Sequence, residues 1–303
     1  MLPAPGRRAA ARAVGRPGAV YLWLGIIVLS WSLNWPLMKL ALADAPPFTF
    51  VLLRLVGTLA LLVPAMLAMR APLAPAPGER LWLFWVGQLQ VAAFLLCAIV
   101  GLSILPAGRA IVLAYTMPLW AIPFELTLEA QRLRPRQLAG AVVGFAGLLL
   151  FMSPAEVDWT SARALGGNAM LILAAISWAA GSILYRRRSW RSGFWAQTLW
   201  QIAVSTPVVA VIALPSLLTE PIRWTPALVA ILAYNCVVTT ALGYFLWNKV
   251  LSVMPAGIAG QVVALTPVGG FLISTAIFGG NVTADVIVSI VLIVGGIMLT
   301  LGG

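Results

Sequence analysis

Four side chains in one apolar stretch share a helix face and form the first candidate binding surface. Trp31, Asn34, Trp35 and Met38 follow the i, i+3, i+4, i+7 spacing of adjacent turns. An amide between indoles inside an apolar helix needs a hydrogen-bonding partner or a polar cavity, and the two rings could enclose an aromatic or zwitterionic solute. The alternative is that Trp35 belongs to an interfacial aromatic belt and Asn34 bonds to another helix.

A further indole, Trp178, lies about 13 residues into its own apolar stretch, which at about 1.5 Å per residue is close to the middle of a bilayer. An interfacial anchor is not expected at that depth. Trp178 is therefore a candidate for the same binding surface as Trp31, and packing against lipid is the alternative.

Two other stretches combine a proline with hydrogen-bonding side chains. Tyr115 precedes Pro118 by three residues, and Gln261 lies upstream of Thr266-Pro267. Proline lacks an N–H and its ring clashes with the preceding turn, so both helices should loosen at matching places. We predict Pro118 and Pro267 as gating residues, although membrane helices also tolerate proline without such a role. Tyr115 and Gln261 are predicted to bind substrate.

Uncharged hydrogen-bonding groups occur in two more apolar stretches. Gln88 lies in one, and Asn235 and Thr239 lie one turn apart in the other. Such groups suit a neutral or zwitterionic substrate better than a polyanion, and each could instead join two helices. The predicted substrate-binding residues are Trp31, Asn34, Gln88, Tyr115, Trp178, Asn235, Thr239 and Gln261.

Charged residues within or at the ends of the apolar stretches are few, and they include Lys39, Arg54, Glu125 and Glu129. Long basic side chains can reach a nearby interface, so Lys39 and Arg54 are expected to snorkel or to pair rather than to bind substrate. The two glutamates are expected to balance the arginines of the connection that follows them.

Catalytic chemistry is not expected. The sequence has no histidine, and Cys97 and Cys236 are isolated within apolar stretches. These residues supply no metal-ligand cluster, disulfide framework or nucleophile-base pair. We therefore expect no enzymatic activity, no metal site and no cofactor. A cation-efflux pump would be expected to place a carboxylate in its central cavity, and the first apolar stretch has none.

The composition indicates a membrane protein. Hydrophobic residues make up 62% of the 303 residues and charged residues 9%, with a mean hydropathy of +1.01. A soluble domain contains about 25% charged residues. Because a helix needs about 20 apolar residues to cross a bilayer, the chain has room for roughly ten spans. The predicted fold class is an all-α integral membrane protein with ten transmembrane helices.

Apolar length and the positions of Pro, Gly and charged residues set the limits of the ten spans. The first span is too long for the apolar core of a signal peptide, so it is predicted as a membrane helix. The spans are 20–42, 48–69, 81–105, 109–128, 137–153, 165–185, 194–218, 226–250, 257–279 and 282–301.

The basic residues indicate the orientation. The net charge is +11, but Arg and Lys lie mostly at the ends of apolar spans and form no basic surface interleaved with aromatics, so nucleic acid is not an expected partner. With a cytoplasmic amino terminus, 14 of the 19 basic residues fall on the cytoplasmic side. Both termini are then cytoplasmic. The expected partners are a small-molecule substrate and membrane lipids, and the chain is expected to be a monomer.

The second half of the chain repeats the first. Four matches recur in the same order at offsets of 147 or 149 positions. Since five helices cross a membrane an odd number of times, the second repeat must enter from the opposite side, and such halves suit alternating access to a site between them. The matches are Ser30-Trp31 with Ser177-Trp178, Pro106-Ala107-Gly108 with Pro255-Ala256-Gly257, Pro118 with Pro267, and Gly147 with Gly296.

The predicted organisation follows from the spans and the repeat. A cytoplasmic basic arm covers 1–17, the first five-helix repeat 18–154, an external connection 155–164 and the second repeat 165–303.

The chain after about Gly18 resembles the EamA-type branch of the drug/metabolite transporter superfamily. The resemblance rests on the matched motifs above, on Tyr115 and Thr266-Pro267, and on the glycine-rich fifth and tenth spans. Within that branch it most resembles the YddG-type exporters of aromatic amino acids. The resemblance implies a bacterial inner-membrane exporter whose central cavity is lined by helices 1, 3, 4, 6, 8 and 9, with helices 5 and 10 as scaffold. It implies export of aromatic or other neutral amino acids by alternating access. Efflux of hydrophobic cations or drugs, or a passive channel, are the alternatives.

Overall fold

The computed structural model describes residues 17–128, 134–151, 160–278 and 283–301. The predicted basic arm before Pro17, Glu129 and the first half of the predicted external connection, 155–159, lie outside these ranges.

Ten helices follow one another in the described ranges, two of them broken into halves. Nine are long and apolar enough to cross a membrane, and α5 is a shorter apolar helix. The predicted all-α, ten-helix fold is confirmed. The helices are α1 (Pro17–Ala41), α2 (Pro47–Ala68), α3 (Arg80–Ile104), α4a (Ala107–Ala114), α4b (Met117–Leu128), α5 (Pro135–Phe151), α6 (Ala162–Arg186), α7 (Phe194–Thr219), α8 (Pro226–Val253), α9a (Ala256–Val263), α9b (Thr266–Phe278) and α10 (Ala284–Leu301).

Apolar side chains project outward from these helices. Leu29, Val211 and Met298 are all more than two-thirds exposed, at 68%, 74% and 69%. Soluble proteins rarely expose so much apolar surface to water. A helix can expose it to lipid, because its backbone groups are hydrogen-bonded within the helix.

The third helix of each repeat contains a π-helical segment that the sequence did not predict. The segments cover Gln88–Ala93 in α3 and Asn235–Leu242 in α8, and their first residues are 147 positions apart. π-helical segments are rare in proteins, and those that occur are often found at functional sites. Their matching positions show that the two halves repeat each other in backbone geometry as well as in sequence.

The fourth helix of each repeat breaks just before its proline. Thr116 N–H donates to Leu113 O at 3.2 Å, and Leu265 N–H donates to Val262 O at 3.1 Å, so each break is a tight turn. Pro118 and Pro267 then occupy the second position of α4b and α9b. A proline is tolerated in the first turn because the N–H there has no helical partner. The loosening predicted at these places therefore takes the form of a complete break.

Helices α5 and α10 pack through glycines. A Cβ on Gly140 would lie 2.5 Å from Gly296 O, and a Cβ on Gly147 would lie 2.8 Å from Ser289 O. At the offset of 149, Gly140 corresponds to Ser289 and Gly147 to Gly296, so each contact is the repeat image of the other. This is the pattern of a twofold interface, and it relates the two halves as an inverted pair.

A basic side chain caps the end of the third helix of each repeat. Lys39 Nζ donates to the carbonyls of Leu102 at 2.6 Å and Leu105 at 3.0 Å, at the end of α3. Arg186, 147 positions later, donates to the corresponding carbonyls at the end of α8. The last carbonyls of a helix lack partners within it and attract cations. Lys39 therefore joins α1 to α3, and the expectation that it pairs is confirmed.

Candidate functional site

A cavity lies among α1, α2, α3, α4, α6 and α8. Both repeats contribute to it, as predicted from the inverted arrangement. The described lining residues include α2, which was not expected, and include none from α9, which was. They are Trp31, Asn34, Trp35, Met38, Val51, Arg54, Phe94, Leu95, Ala98, Ile99, Tyr115, Met117, Trp178, Thr239 and Tyr244.

Trp178 is the centre of an aromatic cluster on the cavity wall. Its ring centroid lies 4.7 Å from that of Phe94, 5.3 Å from Trp31, 5.5 Å from Tyr244 and 5.6 Å from Trp247. The Trp31 and Trp178 rings meet edge to face, at 87°. Such arrangements stabilise ring pairs through their quadrupoles, and they leave ring surfaces that an aromatic cargo can contact.

Two contacts from α8 set the position of Trp31. Its Nε1 donates to the carbonyl of Thr239 at 3.2 Å, within the π-helical segment. A Cβ on Gly243 would lie 2.7 Å from the same nitrogen. The indole can therefore occupy this place only because residue 243 has no side chain.

Two buried polar atoms on the cavity wall have no hydrogen-bonding partner among the residues that the structure describes. They are Oδ1 of Asn34, an acceptor, and Nε1 of Trp178, a donor. Asn34 Nδ2 contacts the sulfur of Met38 at 3.5 Å. An unbonded buried polar group costs about 1–3 kcal/mol, and a bound molecule with complementary groups would remove that cost.

Arg54 projects into the cavity from α2 and is 4% exposed. Its Nε donates to Thr240 Oγ1 at 2.6 Å, and its Nη2 donates to Thr239 Oγ1 at 3.2 Å. Its Nη1 contacts the sulfur of Met38 at 3.6 Å. Of the two expected arrangements, snorkelling and pairing, the structure has the second, since Arg54 is buried and its described partners are two hydroxyls and a thioether.

Five of the eight predicted binding residues line this cavity: Trp31, Asn34, Tyr115, Trp178 and Thr239. The other three lie elsewhere. Gln88 Nε2 donates to Val204 O on α7 at 2.8 Å, and Asn235 Nδ2 donates to Ile231 O in its own helix at 2.9 Å. Gln261 lies in a second cavity.

The second cavity lies among α4, α5, α9 and α10. Pro118 and Gln261 line it, and Pro118 also packs against α9a, where a Cβ on Gly260 would lie 3.2 Å from its Cγ. Pro267 is buried. The two predicted gating residues thus lie at the breaks of α4 and α9, and neither is among the described residues that line the central cavity.

The end of α4b is joined to the start of α9a. The N–H of Gly257 donates to Glu125 Oε1 at 2.8 Å, and Glu125 is fully buried. A Cβ on Gly257 would lie 2.8 Å from Glu125 Oε2. Its repeat counterpart, Gly108 at the start of α4a, has no described atom within 4 Å of a Cβ. The two repeats therefore differ here, with a close contact at Gly257 and open space at Gly108.

Sequence reasoning missed Arg54, Phe94 and Tyr244 as lining residues. A signal for Arg54 was present, because a lone charge inside an apolar span is a functional candidate by default. Phe94 and Tyr244 carried no such signal, since an aromatic residue in a membrane helix is equally consistent with packing or with a lipid contact.

Comparison with known proteins agrees with this architecture. Residues 18–153 and 165–302 each match the EamA-like transporter family. The chain is 26% identical to the uncharacterized transporter YvbV of Bacillus subtilis, over 92% of this chain and 90% of the relative. It is also 26% identical to a probable amino-acid metabolite efflux pump of Salmonella typhimurium, over 92% and 93%.

The fold is shared with a solved structure. One crystal structure superposes with a TM-score of 0.75 over 94% of this chain and 96% of the other, at 21% identity. At that identity the likeness concerns the fold alone. The family match covers both repeats, and the chain is therefore a multi-pass membrane transporter that belongs to the EamA-like transporter family of the drug/metabolite transporter superfamily.

Proposed function

We propose that this transporter exports small metabolites with an aromatic ring, aromatic amino acids foremost, as the YddG-type exporters do. The observation that supports the proposal is the central cavity, whose aromatic wall holds two buried polar atoms without partners, Asn34 Oδ1 and Trp178 Nε1. The ring of such a cargo would stack on the aromatic wall, and its hydrogen-bonding groups would bond to the two polar atoms. A relative named as a probable amino-acid metabolite efflux pump supports the same substrate class.

The proposed mechanism is alternating access between two inverted halves. A site between them would open first to one side of the membrane and then to the other as the halves exchange conformations. The breaks at Tyr115-Thr116 and Ala264-Leu265 divide α4 and α9 into parts that can tilt separately, with Pro118 and Pro267 at the start of the second parts. We further propose that the protein is a monomer in the bacterial inner membrane with both termini in the cytoplasm.

Two other functions remain as competitors. Efflux of hydrophobic cations is disfavoured because Arg54 places a fixed positive charge in the cavity. A passive channel would predict flux that does not saturate and no exchange between the two sides. A carrier instead predicts saturable uptake and counterflow.

The test is transport of a labelled aromatic amino acid into proteoliposomes, normalised to the amount of folded protein. Trp31→Ala and Trp178→Ala should each lower transport at least about fivefold, since an aromatic contact contributes on the order of 1 kcal/mol. The matched control is Trp85→Ala, because Trp85 is 54% exposed and outside the cavity, and it should transport normally. Normal transport by both cavity variants, per folded molecule, would show that this cavity is not the transport site.

A further inference from the structure

Arg54 has unused hydrogen-bonding capacity inside the central cavity. A guanidinium has five N–H donors. Three contacts account for its described partners, one each to Thr240, Thr239 and the sulfur of Met38. Two donors therefore remain, and the planar fork of a guanidinium matches the two oxygens of a carboxylate.

The charge of Arg54 is also uncompensated. Its described partners are all neutral, and the described residues that line the cavity include no Asp or Glu. A buried cation is costly unless an opposite charge lies beside it. The described lining of the cavity thus carries one net positive charge, which a singly charged anion would neutralise.

The groups around Arg54 match the rest of such a molecule. The sulfur of Met38 contacts both Arg54 Nη1, at 3.6 Å, and Asn34 Nδ2, at 3.5 Å, so the guanidinium and the amide are neighbours. The rings of Trp35 and Tyr115, 6.2 Å apart, line the same cavity as Trp31 and Trp178. A carboxylate at Arg54 would leave its apolar body among rings.

We propose that Arg54 is the carboxylate anchor of the transport site, and that the carrier selects aromatic monocarboxylates whether or not they have an α-amino group. This inference rests on the proposed function of the cavity. A monoanion leaves the loaded cavity neutral. A zwitterion leaves one positive charge, because no acid among the lining residues faces its ammonium group. A cation adds a second charge and is excluded.

The experiment compares three compounds with the same ring: 3-phenylpropionate, phenylalanine and phenethylamine. Uptake into proteoliposomes is corrected for protein-free liposomes and measured for the parent, Arg54→Gln, Arg54→Lys and Arg163→Gln. Arg163 is an exposed arginine at the start of α6, outside the cavity, and its variant makes the same change of charge. The ratio of uptake of 3-phenylpropionate to that of phenethylamine is the readout, because it does not depend on how much protein folds.

We expect a ratio above about ten for the parent and for Arg163→Gln, and a ratio near one for Arg54→Gln, since each 1.4 kcal/mol of lost differential binding is tenfold. Arg54→Lys keeps the charge but loses the fork, so it should retain the preference with weaker apparent affinity. If Arg54→Gln does not fold, Arg54→Lys provides the test. A ratio near one in Arg54→Lys would contradict an anchor that acts through its charge.

Two results would overturn the anchor and leave the proposed function intact. One is a parent that transports the amine as well as the carboxylate, and the other is an Arg54→Gln variant with an unchanged ratio. If the parent transports none of the three compounds, the proposed function fails and the anchor fails with it.

Discussion

At the scale of single residues, the site depends on a missing side chain. A Cβ on Gly243 would lie 2.7 Å from Trp31 Nε1. The same nitrogen donates a hydrogen bond to Thr239 O. The indole is also packed edge to face against Trp178, at 5.3 Å. It therefore cannot move aside without losing a hydrogen bond or a ring contact.

We expect Gly243→Ala to lower transport severalfold while most of the protein still folds, because overpacking of one methyl group costs about 1–3 kcal/mol and falls directly on Trp31. The measurement is uptake of an aromatic amino acid per folded molecule, with fluorescence of the tryptophan cluster as a check on ring position. Gly25→Ala on α1 is the control, since a Cβ there meets no described atom within 4 Å. Equal loss in both variants would contradict the explanation.

The residues of the site were only partly predictable from the sequence. Trp31 and Trp178 were identified from their depth in the membrane and their repeat relation, and both line the cavity. Depth does not say which neighbour a side chain meets, so Gln88 was placed in the site although it bonds to Val204 on α7. For the same reason Arg54 was excluded, since a long basic side chain can turn toward an interface or toward the interior.

At the scale of helices, apolar length predicted all ten elements, because a span must cross a fixed thickness. The π-helical segments of α3 and α8 were not predictable. Their residues suit an α-helix equally well, and nothing in their spacing indicates hydrogen bonds that span five residues instead of four. The caps by Lys39 and Arg186 were missed because a basic residue at a span end is also the ordinary signal of topology.

The contact between α4b and α9a leads to a prediction about which side is closed. Gly257→Ala would push a methyl group against Glu125 and should separate the two helix ends, whereas Gly108→Ala, at the matching position, should change nothing. The probe is a cysteine introduced at Ala121, which lines a small pocket together with Gly260. The two native cysteines, Cys97 and Cys236, are first replaced so that only the probe reacts. A membrane-impermeant reagent added on the Gly257 side should label Gly257→Ala severalfold faster than the parent.

A comparison of the two glycines makes that result interpretable. If Gly108→Ala increases labelling as much as Gly257→Ala does, the Glu125 contact is not what closes this end. If neither variant changes the labelling rate, the contact has no role in closure.

At the scale of the whole molecule, the question is what drives transport. The described cavity residues include no Asp, Glu or His, and Glu125 bonds to the backbone of Gly257 outside the cavity lining. Proton-driven carriers need a titratable group whose protonation changes the relative stability of loaded and empty states. We therefore expect downhill movement or exchange without obligatory proton coupling.

An imposed pH gradient should thus produce no accumulation of a zwitterionic amino acid in proteoliposomes, and counterflow should accelerate its uptake. Glu125→Gln and Glu129→Gln should respond to the gradient as the parent does. Accumulation that follows the gradient in the parent and disappears in one of these variants would identify that glutamate as a proton site and refute the uncoupled mechanism.

The positive charge of Arg54, whose described partners are all neutral, has an electrical consequence. A cargo that neutralises it takes a negative charge across the membrane, so its net export is a current, whereas export of a zwitterion is electrically silent. A potential of 100 mV, negative inside, favours the exit of a monoanion by about 2.3 kcal/mol, which sustains a concentration ratio of roughly fifty. A potassium diffusion potential across the same liposomes would reveal this as voltage-dependent flux of 3-phenylpropionate but not of phenylalanine. The cell's resting voltage would then be enough to expel an aromatic acid, with no coupled ion at all.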